Sequence, residues 1–249
     1  MNGKTLRFSV DGVPVEAQPG QTIIAACDDA GIYIPRLCYR ADLPPGGQCR
    51  LCTCKVHGRP VAACVTPVTQ AMVVENDTPE LQADRKTIVE MLFVEGNHPC
   101  PFCEKSGNCD LQAMAYRFGL PAMQLTYQFP KREIDATHPQ IFLDRNTCIL
   151  CGLCIRASQH ADGKSVFGFE NRGAATQLAV NSTAGLAGTD LDAADRAASV
   201  CPVACIVVKR TGYETPYGDR TFDERPIGTD IESKLNPALK TPSGTEGHA

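Results

Sequence analysis

Cys148-Ile149-Leu150-Cys151-Gly152-Leu153-Cys154 sets three thiols at two-residue intervals, a spacing that belongs to metal ligation rather than to packing. Ser158 stands where the next cysteine of a C-x2-C-x2-C-x3-C-P run, the bacterial cubane motif, would fall. The missing Cys-Pro pair comes far downstream as Cys201-Pro202. Cys205 competes for the fourth position, but the following proline favours Cys201. Cys148, Cys151, Cys154 and Cys201 are therefore the expected ligands of one [4Fe–4S] cluster, in a chain that has lost the ligands for a neighbouring one. Two short apolar runs, Ile141-Phe142-Leu143 and Ile206-Val207-Val208, flank the two halves of this motif as strands. Between them, residues 162–189 are rich in Gly, Ala and Thr and read as short strands and loops.

Upstream lies His98-x-Cys100-x2-Cys103-x5-Cys109, running straight into a helical pattern of Leu111, Met114, Ala115 and Phe118 closed by Gly119. Three close thiols with one histidine suit a second [4Fe–4S] cluster, the last ligand sitting at a helix N-terminus that favours negative charge. Neutral imidazole in place of a thiolate removes a negative charge and raises the potential. Before this loop, Thr78-Pro79-Glu80 is a helix start with a cap, a proline in the first turn and an acid beside it. Leu81, Ile88 and Leu92, with Val89 and Phe93, continue it as an apolar stripe to Gly96.

Further upstream is Cys38-x10-Cys49-x2-Cys52-x11-Cys64. A [2Fe–2S] rhomb needs two thiolates per iron, and a C-x2-C turn within a longer cysteine loop supplies them; on spacing alone a zinc site stays open, because this is not the plant-type C-x4-C-x2-C. Gly46-Gly47 lets backbone N–H groups come close to the sulfurs. Residues 4–10 alternate as a strand, Asp11-Gly12 is a two-residue hairpin turn, and Val13-Pro14-Val15 returns as a strand that Pro14 confines to an edge or bulge. Thr22 caps a helix with Ile23, Cys27 and Ala30 on one face and Gly31 at its end.

Eleven of the fourteen cysteines are then used, and Cys27, Cys54 and Cys205 are left as structural thiols. Fourteen in 249 residues is below the roughly 8–10% of a small disulfide scaffold. The charged start of the chain lacks the apolar run of a signal peptide, so the expected compartment is cytoplasmic, where thiols stay reduced. A net charge of −4 gives no reason to expect nucleic acid, and no stretch is apolar for long enough to cross a membrane. Lys105, Arg145 and Arg156 adjoin candidate ligands, either as solvated cations or as charges that offset a cluster. His57, His138, His160 and His248 lack ligand-type spacing. No G-x-G-x-x-G opens a helix and no Walker motif occurs, so no flavin, nucleotide or catalytic residues are expected on this chain.

Ile34-Pro35-Arg36-Leu37-Cys38-Tyr39, Gly47-Gln48-Cys49-Arg50-Leu51-Cys52, Asn108-Cys109-Asp110-Leu111-Gln112 and Cys201-Pro202-Val203, in this order, resemble the electron-transfer subunits shared by complex I and NAD-reducing hydrogenases. The likeness covers about residues 1–210. It implies an α+β chain with a β-grasp [2Fe–2S] ferredoxin domain over 1–77, a small helical [4Fe–4S] module with one histidine and three cysteine ligands over 78–125, and a bacterial-ferredoxin-like [4Fe–4S] domain over 138–211. Residues 212–249 read as an extended tail, ordered only when a partner holds it. The short form and the tail segments Gly212-Tyr213-Glu214 and Arg225-Pro226-Ile227-Gly228 are similar to the diaphorase-side gamma subunits of nickel–iron hydrogenases. That resemblance implies a flavin- and NAD-binding diaphorase subunit and small and large hydrogenase subunits as partners. One departure is that only Pro99 separates His98 from Cys100, where complex I relatives have three residues. A short complex I-type subunit and a zinc-stapled interaction scaffold are the alternatives.

Overall fold

The computed structural model describes residues 5–240. β1 (Leu6–Val10) and β2 (Val13–Ala17) form the expected antiparallel hairpin. Asp11 and Gly12 both have positive φ, 50° and 81°, the backbone that a two-residue turn of matching twist requires. Pro14 does lie on an edge: the sheet order is β2-β1-β5-β3-β4, with β3 (Thr53–Val56), β4 (Arg59–Ala62) and β5 (Val73–Glu75). β5 runs parallel to β1, so the whole cysteine loop is carried within the connection between them. α1 (Ile23–Asp29) is capped by the Thr22 hydroxyl, which accepts from the Ala25 N–H at 3.4 Å. Its apolar face, Ile23, Ile24, Ala26 and Cys27, closes one core against Phe8, Val10, Val15 and Val74.

A second core runs through the downstream elements. α2 (Pro79–Val94), capped by Thr78, and α3 (Asp110–Arg117), ended at Gly119 with φ +61°, pack against each other. Their buried faces share this core with Leu37, Cys38, Leu43 and Leu51 of the first cysteine loop and with the downstream segment. There, β6 (Ile134–Asp135), β7 (Ile141–Asp144) and β10 (Ile206–Val208) form a sheet in the order β10-β7-β6. β7 and β10 are antiparallel, with Leu143 opposite Ile206, and Asp144 N–H donates to Cys205 O at 2.8 Å. The end of β7 is thus beside the start of β10, which brings Cys148 and Cys201 to the same end of the sheet. α4 (Leu153–His160), the hairpin of β8 (Phe167–Glu170) and β9 (Gln177–Val180), and α5 (Arg196–Ser199) complete this part. Ser158 is fully buried and its Oγ accepts from the Val166 N–H at 3.1 Å, so the position is now a structural one beneath the hairpin.

Residues 212–240 correct one expectation: the tail is held by its own chain. Arg117 donates to Ile227 O at 2.8 Å and pairs with Glu232 of α6 (Thr229–Glu232) at 2.5 Å. Lys234 donates to Asp28 O at 2.7 Å, and Ile227 and Ile231 pack on the second core. Gly228 has φ +95°, and a Cβ there would come within 2.4 Å of the Tyr33 ring. The composition read as polar and aperiodic, but two isoleucines and a few hydrogen bonds to α1 and α3 are enough to dock it. The rest of the predicted tail lies outside the described residues. Among the described residues, no helix is long and apolar enough to cross a membrane.

Candidate metal centres

The structure gathers all three cysteine groups, and every cysteine is a free thiol. In the first group, the Cys38 sulfur accepts from the Cys49 N–H at 3.4 Å and lies within thiol hydrogen-bonding reach of Cys49 and Cys64, while Cys52 reaches Cys64. The Cys49 and Cys64 thiols, helped by the backbone N–H groups of Cys49 and Gln48, hold Cys38 well below the usual thiol range despite burial. A hydrogen bond from Cys64 lowers Cys52 to about 7. Thiolate is the ligating form, and N–H groups aimed at sulfur stabilise it. The segment preceding Cys38 is pinned by Arg36, which grips Asp28 with both terminal nitrogens at 2.5 Å and lies against Tyr33 and Tyr39. Cys54 points away, as its alternation with Cys52 predicts: it is buried and pushed up to about 12 by that burial. Burial also pushes Cys27 up. Both are protonated core thiols, unlike Cys38 and Cys52, whose anions are stabilised by donors from Cys49 and Cys64.

Gly46 has a different reason from the one its sequence suggests. A Cβ there would come within 1.9 Å of Gln48 Oε1 and 2.4 Å of Arg156 Nη1, so the lack of a side chain makes room for two others.

The second group lines one enclosed cavity: His98, Cys100, Cys103 and Cys109, with Phe93, Gln112, Thr147 and Val203. The single-residue gap is bridged by a turn at Pro99, φ −81° and ψ 60°, in which Cys100 N–H donates to His98 O at 2.9 Å. This inverse γ-turn folds the histidine back towards the cysteines, so the short spacing still places both on one cavity. Burial lowers the His98 pKa to about 4, against a hydrogen bond to the Leu92 backbone, so the ring is neutral and able to ligate. Its Nε2 is buried with no hydrogen-bond partner, which costs about 1–3 kcal/mol unless a metal takes the lone pair. Gly96 makes room for it: a Cβ there would lie 2.5 Å from Nε2. Cys109 is the N-cap residue of α3; burial pushes it up to about 12, while the N–H groups of Gln112 and Leu111 favour its anion.

Cys148, Cys151, Cys154 and Cys201 line the third cavity, closed by Phe169 and Leu178 of the β8–β9 hairpin. Cys205 lines it too, within hydrogen-bonding reach of Cys148 and Cys201, the neighbourhood in which it competes with Cys201 for the fourth position. Its bond, with N–H groups of Ile206 and Val203, lowers Cys201 to about 6 against burial. The remaining basic candidates divide. Arg145 donates to Leu178 O at 2.7 Å and to Glu133 O at 3.1 Å, a structural role, whereas Arg156 is buried among ligand loops. His138 accepts from the N–H groups of Gln140 and Ile141, each at 3.1 Å, and anchors the start of β7. Among the described residues, no three His, Cys, Asp or Glu converge as the ligands of a single metal ion do.

The groups adjoin one another. Val203 lines both the second and third cavities, and Asp110 N–H, next to Cys109, donates to Pro202 O at 2.9 Å. Arg156 joins the first group to the third through Cys38 O and Cys151 O. Arg40, two residues from Cys38, pairs with Asp110, next to Cys109, so each group adjoins both of the others.

Sequence reasoning missed Arg85. It is 1% exposed and donates to Leu51 O, Thr53 O, Asn76 O and Asn76 Oδ1, tying α2 to the turn between Cys49 and Cys52. The signal was present: Arg85 is four residues from both Leu81 and Val89, in the middle of the apolar stripe.

A fold that buries three cysteine-lined centres in sequence defines an iron–sulfur protein, and three family matches agree. Residues 3–79 match the 2Fe-2S iron-sulfur cluster binding domain, 85–123 the NADH-ubiquinone oxidoreductase-G iron-sulfur binding region and 141–208 the 4Fe-4S single cluster domain. The chain is 37% identical over 220 residues to the gamma subunit of the NAD-reducing hydrogenase HoxS of Cupriavidus necator, covering 88% of this chain and 94% of that one. It belongs to the family of those gamma subunits. A chain in a crystal structure of NAD+-reducing [NiFe]-hydrogenase in the H2-reduced state superposes with a TM-score of 0.87 at 45% identity, over 90% of this chain and 95% of that chain. The mitochondrial NADH-ubiquinone oxidoreductase 78 kDa subunit of Neurospora crassa is 33% identical over 214 residues, which are 82% of this chain and 28% of that one.

Proposed function

We propose that this chain is the electron-relay subunit of a cytoplasmic NAD-reducing nickel–iron hydrogenase, with one [2Fe–2S] and two [4Fe–4S] clusters. Cys38, Cys49, Cys52 and Cys64 would hold the first, on a β-grasp ferredoxin domain over 1–77. His98, Cys100, Cys103 and Cys109 would hold the second, in a helical module over 78–125. Cys148, Cys151, Cys154 and Cys201 would hold the third, on a ferredoxin-like domain over 138–211. Bound clusters supply one-electron carriers whose potentials the protein tunes. The chain's own residues keep water out, aim N–H groups at sulfur and keep the carriers adjacent.

The observation that carries this reading is the adjacency of the three buried cysteine groups, each sharing a wall or an arginine with the next. A scaffold stapled by independent zinc ions has no need of it. The orphaned His98 Nε2 supports a fourth ligand in the second group. The hydrogenase reading is favoured over a complex I-type subunit because the hydrogenase relatives are the more similar, 37% and 45% identical against 33%. On this reading, hydrogen oxidation and hydride chemistry with NAD occur on partner subunits, the nickel–iron small and large subunits and a flavin- and NAD-binding diaphorase subunit. Free thiols throughout suit a reducing compartment.

Metal and sulfide analysis with EPR of the anaerobically purified chain tests this. The expected result is brown protein with about ten irons and one [2Fe–2S] and two [4Fe–4S] signals. Colourless protein with about one zinc per four ligands refutes it.

A further inference from the structure

Arg156 lies on α4, 9% exposed, between two ligand loops. Its Nη2 donates to Cys38 O at 2.7 Å and to Cys151 O at 3.3 Å, and its Nη1 donates to Gln48 Oε1 at 2.9 Å. Nε is buried and unpartnered. Among the described residues, no carboxylate lies within ion-pair distance of it. A guanidinium cannot shed its proton, and a buried charge is costly unless something of opposite sign compensates it. Carbonyl dipoles do part of this. On the three-cluster reading, the charge that remains is met by the first centre on one side and the third on the other, each anionic through its thiolate ligands.

Two glycines show that the place is built for it. A Cβ at Gly46 would lie 2.4 Å from Arg156 Nη1, and one at Gly152 3.0 Å from it. Gly152 has φ +64° and would be glycine on conformation alone. Gly46 has no such backbone reason, so its missing side chain is a packing requirement of Arg156 and Gln48.

We propose that Arg156 is a positioning residue shared by the first and third centres, a single buried cation that raises the reduction potential of both. Each one-electron reduction adds a negative charge to one neighbour of the guanidinium, and the cation stabilises that state on either side. The bonds to Cys38 O and Cys151 O also hold the two ligand loops at a fixed separation. This rests on the three-cluster reading.

The test is redox titration, followed by EPR, of the full chain purified anaerobically with its clusters, as wild type, Arg156→Gln and Arg156→Lys. Gln keeps a donor and removes the charge, while Lys keeps the charge and loses the fork. For Arg156→Gln we expect at least a tenfold fall in the one-electron reduction equilibrium of both the [2Fe–2S] centre and the third centre, about 59 mV each. The histidine-ligated centre stays in place, and Lys recovers most of the shift. Unmoved potentials at full iron content overturn the proposal, as does a shift at only one of the two centres or an equal shift at all three. If Arg156→Gln holds no iron, Arg156→Lys decides: wild-type iron content and potentials support the charge, and loss of iron there reduces Arg156 to a packing staple. A wild type that shows no cluster signals refutes the three-cluster reading itself, and the proposal with it.

Discussion

Replacing Arg85 with methionine removes four hydrogen bonds of 3.2 Å or less and leaves Leu51 O, Thr53 O, Asn76 O and Asn76 Oδ1 facing an apolar side chain. A buried acceptor that loses its partner costs about 1–3 kcal/mol; Asn76 Oδ1 keeps the Cys54 thiol at 3.6 Å, so the three main-chain carbonyls give a gross penalty of about 3–9 kcal/mol. Two things reduce it: the charge no longer has to be buried, and methionine packs well against Leu81 and Val89. We expect a net loss of about 4 kcal/mol, the middle of that range after these gains. Against a typical stability of about 5–15 kcal/mol, the first centre should fail early, because Leu51 sits in the turn between Cys49 and Cys52. The assay is loss of the visible circular dichroism of the [2Fe–2S] chromophore in urea, compared with wild type and Arg85→Lys. Lys keeps the charge with fewer, unforked donors and should fall between the two. A change below about 1 kcal/mol in Arg85→Met would refute the argument, and would mean that these carbonyls are satisfied from elsewhere.

His98→Ala is expected to lose four of about ten irons with the other two EPR signals intact, and His98→Cys to restore the iron at a lower potential, since thiolate adds a negative charge; full iron content in the alanine variant would exclude ligation. Cys205→Ala should keep about ten irons and Cys201→Ala about six, by iron analysis. The reverse order would make Cys205 the fourth ligand. Gly96→Ala drives a Cβ to 2.5 Å from His98 Nε2, an overpacking cost of about 1–3 kcal/mol. It should disturb the second centre's EPR signal alone, and an unaltered signal would show that the ring is free to move.

Much of the local structure was legible because its causes are local. Asp11-Gly12 turns β1 into β2, Thr22 and Thr78 cap α1 and α2, and Gly31 and Gly119, both with positive φ, follow the ends of α1 and α3. Pro14 is on the edge strand because it has no N–H to give a neighbour. The His98–Cys100 spacing, a departure when counted in residues, is absorbed by one turn at Pro99 whose geometry proline already favours. The docking of the tail was missed for the opposite reason. Ile227 and Ile231 lie four apart, but in a segment too polar and too rich in Gly and Pro to announce a core-facing helix, and the place of Cys205 beside the third cavity depends on the pairing of β7 with β10.

The grouping of the cysteines and the ends of the helices can be read along the chain alone, because C-x2-C spacing and cap residues act within a few bonds of themselves. Tertiary packing alone brings the three cysteine groups against one another and buries Arg85 and Arg156 behind the ligand loops. A charged residue set in an apolar stripe, as Arg85 is, hints at burial but not at what it meets there. Its environment is made by strands and loops remote in the chain, and the free energy that holds it there comes from carbonyls that no spacing rule predicts.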